Sequence, residues 1–239
     1  MKSVIVIPTY NEEGNIEYLL KKIFENLTDV QIIIVDDSAE QQIKKITNHY
    51  QNIIYIHRGE KKGRGSAVLE GMNYALKKID FTHLVEMDAD MSHNPNEIKD
   101  NMNFCLEKKI DLLISSRYLK DSKILNWPIK RKLLSYLSNI LAKLFLKVPV
   151  KDFTNGFRIY SRVAVDHVVK NCGNVGDGFI ILSEILVQLY FNNYKVFEKP
   201  TIFVNRVRGI SNVNFKELKN SLIGLLKVYF IKSKLTRSN

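Results

Sequence analysis

Thr82-His83-Leu84-Val85-Glu86-Met87-Asp88-Ala89-Asp90 decides how this chain folds: an apolar run that reads as a strand ending at Asp88, closed by two carboxylates one residue apart. The backbone leaves the sheet there, so both acids can turn toward one point beyond its carboxyl edge. Carboxylate oxygens in that arrangement suit Mg²⁺ or Mn²⁺, which keep several waters and take their remaining ligands from substrate phosphates. An isolated Asp-x-Asp is as readily a solvated loop, so the flanking sequence has to decide between the two.

Three upstream segments repeat the geometry. Ser3-Val4-Ile5-Val6-Ile7 is broken by Pro8 and followed by Thr9-Tyr10-Asn11-Glu12; Gln31-Ile32-Ile33-Ile34-Val35 ends in Asp36-Asp37-Ser38; Asn52-Ile53-Ile54-Tyr55-Ile56 leads into His57-Arg58-Gly59. Short apolar runs of this kind read as buried parallel strands. Between them, about residues 13 to 27, 40 to 50 and 64 to 78 carry helical spacing, as in Ile16, Leu19, Leu20, Ile23 and Leu27. Strands alternating with helices predict an α/β fold with a mostly parallel sheet and right-handed crossovers, and polar residues then collect at the carboxyl edge.

With 239 residues, 45% of them hydrophobic, the chain can bury one substantial core. Cys105 and Cys172 lack metal-ligand spacing and read as packed, reduced thiols. Met1-Lys2-Ser3 passes directly into the first strand, and no stretch reaches the roughly 18 uncharged apolar residues of a spanning helix, so the expectation is a cytoplasmic protein. The net charge of +11 is concentrated: residues 117 to 150 hold eight Lys or Arg against Asp121, and residues 205 to 239 hold eight against Glu217. Neither stretch has a nucleic-acid motif, and no nucleic-acid partner is expected.

Both basic stretches coincide with amphipathic helix patterns. Ile129 to Leu146 places Leu133, Leu137, Ile140, Leu141 and Leu144 at helical spacing, flanked by Lys130, Arg131, Lys132, Lys143 and Lys147. Asn214 to Lys232 does so with Phe215, Leu218, Leu222, Leu225, Leu226, Tyr229 and Phe230, beside Lys216, Lys219 and Lys227. Core packing explains most such helices. A basic helix with a broad apolar face can instead lie at an anionic membrane surface, and the expectation is that at least one of these does.

Four blocks in order, Val6-Ile7-Pro8-Thr9-Tyr10-Asn11-Glu12, Val35-Asp36-Asp37-Ser38, Gly63-Arg64-Gly65-Ser66-Ala67 and Asp88-Ala89-Asp90, resemble the signature of GT-A glycosyltransferases of family 2. Asp88 through Pro95, Ser116-Arg117-Tyr118, Asp152 through Arg158 and Arg206-Val207-Arg208-Gly209-Ile210-Ser211 are similar to the dolichyl-phosphate mannose synthases within it. The resemblance runs from residue 4 to about 212. It implies a GT-A fold with a nucleotide-sugar half (1–116), an acceptor half (117–212) and a C-terminal amphipathic helix (213–239).

The resemblance also implies roles. Mannose would pass with inversion from GDP-mannose to a dolichyl or other polyprenyl phosphate, at the cytoplasmic membrane face. Pro8, Tyr10, Glu12 and Asp37 would contact the donor nucleotide, Asp88 and Asp90 would hold Mg²⁺ or Mn²⁺ on its diphosphate, and Arg208 would meet the β-phosphate. Arg117 and Arg131, helped by Ser135, would hold the acceptor phosphate. A phosphate monoester is already largely anionic near neutrality, so the acceptor needs recognition more than deprotonation. Three departures from the family pattern stand out: the short Asp36-Asp37-Ser38-Ala39-Glu40 loop, Asn155 in place of serine and Asn212 in place of lysine. Glu184 matches a family glutamate on the acceptor side. Rival readings are a polyprenyl-phosphate glucosyltransferase using UDP-glucose or a related donor, a soluble transferase acting on a glycan hydroxyl, and a non-enzymatic basic binding module.

Overall fold

The structure, a computed structural model, describes residues 2–176, 178–206 and 215–238, with side chains of the last helix described from 223 to 237. In its first half β1 (Ser3–Thr9), α1 (Glu13–Asn26), β2 (Val30–Asp36), α2 (Gln42–Thr47), β3 (Ile53–His57), α3 (Arg64–Lys78) and β4 (His83–Glu86) alternate. There follow α4 (Ile98–Lys108), β5 (Leu112–Ser116), β6 (Lys123–Leu125), α5 (Ile129–Leu146), β7 (Arg158–Ser161) and α6 (Arg162–Asn171). The chain ends in α7 (Ile181–Phe191), β8 (Val196–Pro200), β9 (Ile202–Val204) and α8 (Phe215–Ser238).

Seven strands form one sheet in the order β3-β2-β1-β4-β7-β5-β8, while β6 and β9 pair separately. All pairings in the large sheet are parallel except those of β7, which runs antiparallel between β4 and β5. Alternation divides the strand residues between two cores. Val4, Val6, Ile33, Val35 and Leu84 pack with α3, α6 and α7, whereas Ile5, Ile7, Ile32, Ile34 and Val85 pack with α1, α2 and α4. These near-continuous apolar strands are buried on both faces, as a covered parallel sheet requires.

From β1 the chain builds outward first to β2 and later, on the other side, to β4, so the sheet's direction of growth reverses between β1 and β4. A crevice opens at such a reversal, and the loops after these two strands border it. The antiparallel β7 adds a third wall. Arg158 pairs with both Glu86 and Ile114 at the carboxyl edge, so the segment Asp152–Phe157 arrives at that edge before the strand runs back.

Three boundaries differ from the sequence expectation. β4 stops at Glu86 rather than Asp88 because the Asp88 N–H leaves the ladder and donates to His93 Nδ1. The second helix is only Gln42–Thr47, and the last extends to Ser238. On α5 much of the apolar pattern is exposed: Ile129 is 83% exposed, Leu133 57% and Leu144 66%, while Asn139, Ala142 and Leu146 are buried. The second amphipathic pattern is divided, with Leu225 and Val228 in the core and Leu226, Tyr229 and Phe230 outside; Phe215, Leu218 and Leu222 lie outside the described side chains. No helix among the described residues is long and apolar enough to cross a membrane.

Candidate active site

The loop after β4 is held by buried polar bonds. Since the Asp88 N–H donates to His93 Nδ1, that nitrogen is unprotonated, and the ring proton sits on Nε2, which donates to Asn155 Oδ1 at 3.0 Å. Asn155 in turn donates to the Ser115 carbonyl, tying β5 to β4 through one imidazole. Burial holds His93 below the ordinary histidine value, against the pull of Asp88 and Asp90.

Asp88 Oδ1 accepts from Arg64 Nε at 2.7 Å, and Asp90 Oδ1 accepts from the Ser92 N–H at 3.1 Å. Burial pushes the Asp88 carboxyl up, but the Arg64 charge prevails and keeps it below the usual carboxylate range. Arg206 Nε stands 3.5 Å from Asp90 Oδ2. Glu12, at the start of α1, faces the same pair: burial first, then the charges of Asp90 and Asp88, raises its pKa despite a hydrogen bond from Asn15. Three acids thus lie within one another's fields, with Arg206 among them.

Beside them run the loops after β1 and β2, joined where the Asn11 N–H donates to Ser38 Oγ. Tyr10 is 44% exposed, and Lys61 Nζ sits 4.5 Å above its ring. Pro8 is partly exposed one residue before the end of β1. Asp37 is committed to the protein: Oδ1 accepts from Arg58 Nε, and Oδ2 from the backbone N–H groups of Lys62 and Gly63. It therefore fixes the loop leading into α3, where Gly63 adopts a φ of 97° that other residues reach only with strain. Asp36 is similarly occupied by Thr9, Ser38 and Tyr55.

Across the crevice the charge is positive. Arg117 makes a two-pronged ion pair with fully buried Asp152, through Nε and Nη2 at 2.8 Å each, and Nη2 also donates to Thr154. Arg131, on the first turn of α5, stacks 4.2 Å from the centroid of Trp127 and donates to Asn205 Oδ1 at 2.9 Å. Burial, together with the like charges of Arg206 and Arg117, lowers its pKa. One turn further on, Ser135 Oγ accepts from the Tyr118 hydroxyl at 2.7 Å. Arg208 lies outside the described residues. Glu184 stands apart from these groups, accepting from the backbone of Gly173 and Asn174.

The structure thus brings Glu12, Asp88, Asp90, Arg117 and Arg131 into one charged crevice, bordered by Tyr10, and shows Asp37 acting on the loop behind it. Arg64, His93, Asp152 and Arg206 all lie in the segments that carry the family resemblance, but the sequence assigns none of them an individual role. Arg206 lies two residues before Arg208, and its proximity to Asp90 depends on the course of β9. Among the described residues no cluster of three His, Cys, Asp or Glu forms a metal cage. Two carboxylates with oxygen-only donors nonetheless fit a hard divalent ion that completes its shell with water and phosphate.

Residues 4–169 match the model of glycosyl transferase family 2, and the chain belongs to that family. The α/β fold is the GT-A fold, and the protein is a glycosyltransferase. It is 33% identical to a dolichol-phosphate mannosyltransferase of Pyrococcus furiosus over 226 residues, covering 91% of this chain and 61% of that protein. It is 27% identical to a polyprenol monophosphomannose synthase of Mycolicibacterium smegmatis over 242 residues, covering 99% of this chain and 90% of the relative. Among solved structures it resembles a glucosyl-3-phosphoglycerate synthase from Mycobacterium tuberculosis in complex with UDP, with a TM-score of 0.65 and 17% identity over 95% of this chain and 80% of that one. A mannosyltransferase from Pyrobaculum calidifontis, in complex with GDP-Man and Mn²⁺, aligns with a TM-score of 0.61 and 15% identity over 97% of this chain and 63% of that one.

Proposed function

We propose that this glycosyltransferase moves mannose from GDP-mannose to a polyprenyl phosphate at a membrane surface, with inversion at the anomeric carbon. One observation carries the acceptor assignment. Arg131 and Ser135 face the crevice from the same helix, α5, whose Leu133, Leu137 and Leu144 stand exposed on its outer side. A helix that offers a phosphate-binding fork and an unburied apolar surface suits a phosphate borne on a hydrocarbon chain. The basic residues Lys130, Lys132, Lys143 and Lys227 add attraction to anionic lipid. The named mannosyl relatives support the sugar and the acceptor class.

The chemistry follows from charge. Expelling a nucleoside diphosphate from the anomeric carbon requires the β-phosphate charge to be neutralised. Asp88 and Asp90 would hold Mg²⁺ or Mn²⁺, which would supply that neutralisation. Arg206 stands beside Asp90 and adds a positive charge where the leaving diphosphate departs; Arg208 belongs to the same proposed donor site. Tyr10, Pro8 and Glu12 line the nucleotide side, with Asp37 shaping the wall through Arg58 and Gly63. Arg131 and Ser135, with Arg117 behind them, orient the acceptor phosphate so that one of its oxygens attacks the anomeric carbon opposite the leaving group. With a second pKa of about 6 the phosphate is its own nucleophile, and no protein base is needed.

A donor panel with a short water-soluble polyprenyl phosphate tests this reading. Mannosyl phosphate product from GDP-mannose is expected. Preference for UDP-glucose would overturn the donor, and transfer only to a glycan hydroxyl would overturn the acceptor.

A further inference from the structure

Arg64, a largely enclosed cation of the crevice whose side chain is 12% exposed, has no part in the proposed reaction. It opens α3 and bridges the last residue of β4 to an acid of the loop after it: Nε donates to Asp88 Oδ1 at 2.7 Å, and Nη1 to Glu86 Oε1 at 2.6 Å. Glu86 ends β4 and Asp88 follows in the loop, and one guanidinium reaches both carboxylates. Glu86 is fully buried, and its other oxygen accepts from the Tyr160 hydroxyl at 2.6 Å. The remaining nitrogen of Arg64, Nη2, is buried without a hydrogen-bond partner and lies against Gly156, where an added Cβ would come within 2.0 Å of it. Phe179 covers the guanidinium at 5.1 Å. The fork is wedged on every side.

We propose that Arg64 is a positioning residue for the cation: it locks the Asp88 carboxylate in the orientation from which Asp88 and Asp90 share one ion, with Glu86 present to hold Arg64. This rests on the reading of Asp88 and Asp90 as the cation site. A guanidinium beside a metal-binding carboxylate acts in two opposed ways, repelling the ion by its charge and orienting the ligand by its bond. Glu86 cancels most of the repulsion at close range, which leaves the orienting effect. Glycine at 156 belongs to the same device, because any larger residue would push the fork off Asp88.

The test reads Mn²⁺ binding to the full chain in the presence of GDP, by the electron paramagnetic resonance signal of the free ion. Arg64→Leu combined with Glu86→Gln removes the tether without leaving a buried unpaired charge, and the glutamine still accepts from Tyr160. Mn²⁺ affinity is expected to fall about tenfold, the scale found when a metal-binding carboxylate loses its hydrogen-bonding support. In an Asp88→Asn background the same pair of substitutions should change affinity little, since the group they position is gone. Unchanged or tighter Mn²⁺ binding would overturn the proposal, as would a full tenfold loss that persists without Asp88. If the double variant fails to fold, Arg64→Lys alone supports the same comparison, because lysine keeps the charge and loses the fork. Should Asp90→Asn also leave Mn²⁺ affinity at the wild-type level, the cation reading itself fails; loss there with no loss in the Arg64 variants removes only the role of Arg64.

Discussion

Arg206 Nε lies 3.5 Å from Asp90 Oδ2, so a cationic side chain shares the carboxylate that the divalent ion would use. The residue before it, Asn205, accepts from Arg131. Two consecutive residues after β9 therefore touch Arg131 on one side of the crevice and Asp90 on the other.

Because Arg206 competes for Asp90, Arg206→Ala is expected to tighten Mn²⁺ binding in the absence of nucleotide by about fivefold, or about 1 kcal/mol for a partly exposed ion pair. Turnover should nevertheless fall, since the charge beside the departing diphosphate is lost. Chelation of the wild type should stop turnover. Isothermal titration with Mn²⁺ and steady-state rates measure the two effects, and full activity in chelator would exclude the cation role.

In the proposed reaction Arg131, steadied by Trp127, offers its planar fork to the acceptor phosphate. Arg131→Lys keeps the charge and loses the fork, so the acceptor KM should rise about tenfold while the donor KM stays within twofold. Equal weakening of both substrates would show a general electrostatic role instead.

The exposed face of α5 gives a membrane expectation. Leu133→Gln with Leu144→Gln should abolish flotation with anionic liposomes and lower activity on a long-chain acceptor about tenfold, while sparing a short soluble one. Wild-type flotation should weaken as added salt screens the flanking lysines. Equal activity of the variant on both acceptors would leave the face without a lipid role.

Asp152 neutralises Arg117 in a fully buried site. Asp152→Ala leaves that guanidinium unpaired, and a loss of about 3 to 5 kcal/mol is expected in urea unfolding. Arg117→Met in the same chain should recover part of it.

His93 is buried neutral, with its pKa lowered. Below its ordinary value of about 6.5 the unfolded chain binds a proton that the folded site refuses, so stability should be complete above that pH and decline as pH falls toward the folded value. Protonation of Nδ1 would also set two donors against each other at the Asp88 N–H. Urea midpoints from pH 8 to pH 5 should fall for the wild type and flatten in His93→Gln, which lacks the titrating group.

The sequence by itself determined the alternation of Ile- and Val-rich strands with helices, because hydrophobic spacing is a local property that one face of an element imposes on its own residues. It also located Asp88, Asp90, Tyr10 and Glu12 at strand ends, where the topology of a parallel sheet delivers side chains to one edge, and it set the bounds of α5. What only the tertiary structure decided is who holds whom. Nothing local to Asp37 announces that Arg58 and the Gly63 loop occupy it, and nothing local to Arg117 announces Asp152, 35 residues away. The antiparallel course of β7 carried Asp152, Asn155 and Gly156 to the edge, and the position of β9 set Arg206 rather than a neighbouring residue beside Asp90. Those partners meet through long-range packing, which period and composition do not encode; the charged crevice is therefore a product of the fold, assembled from loops whose individual sequences specify only that they are loops.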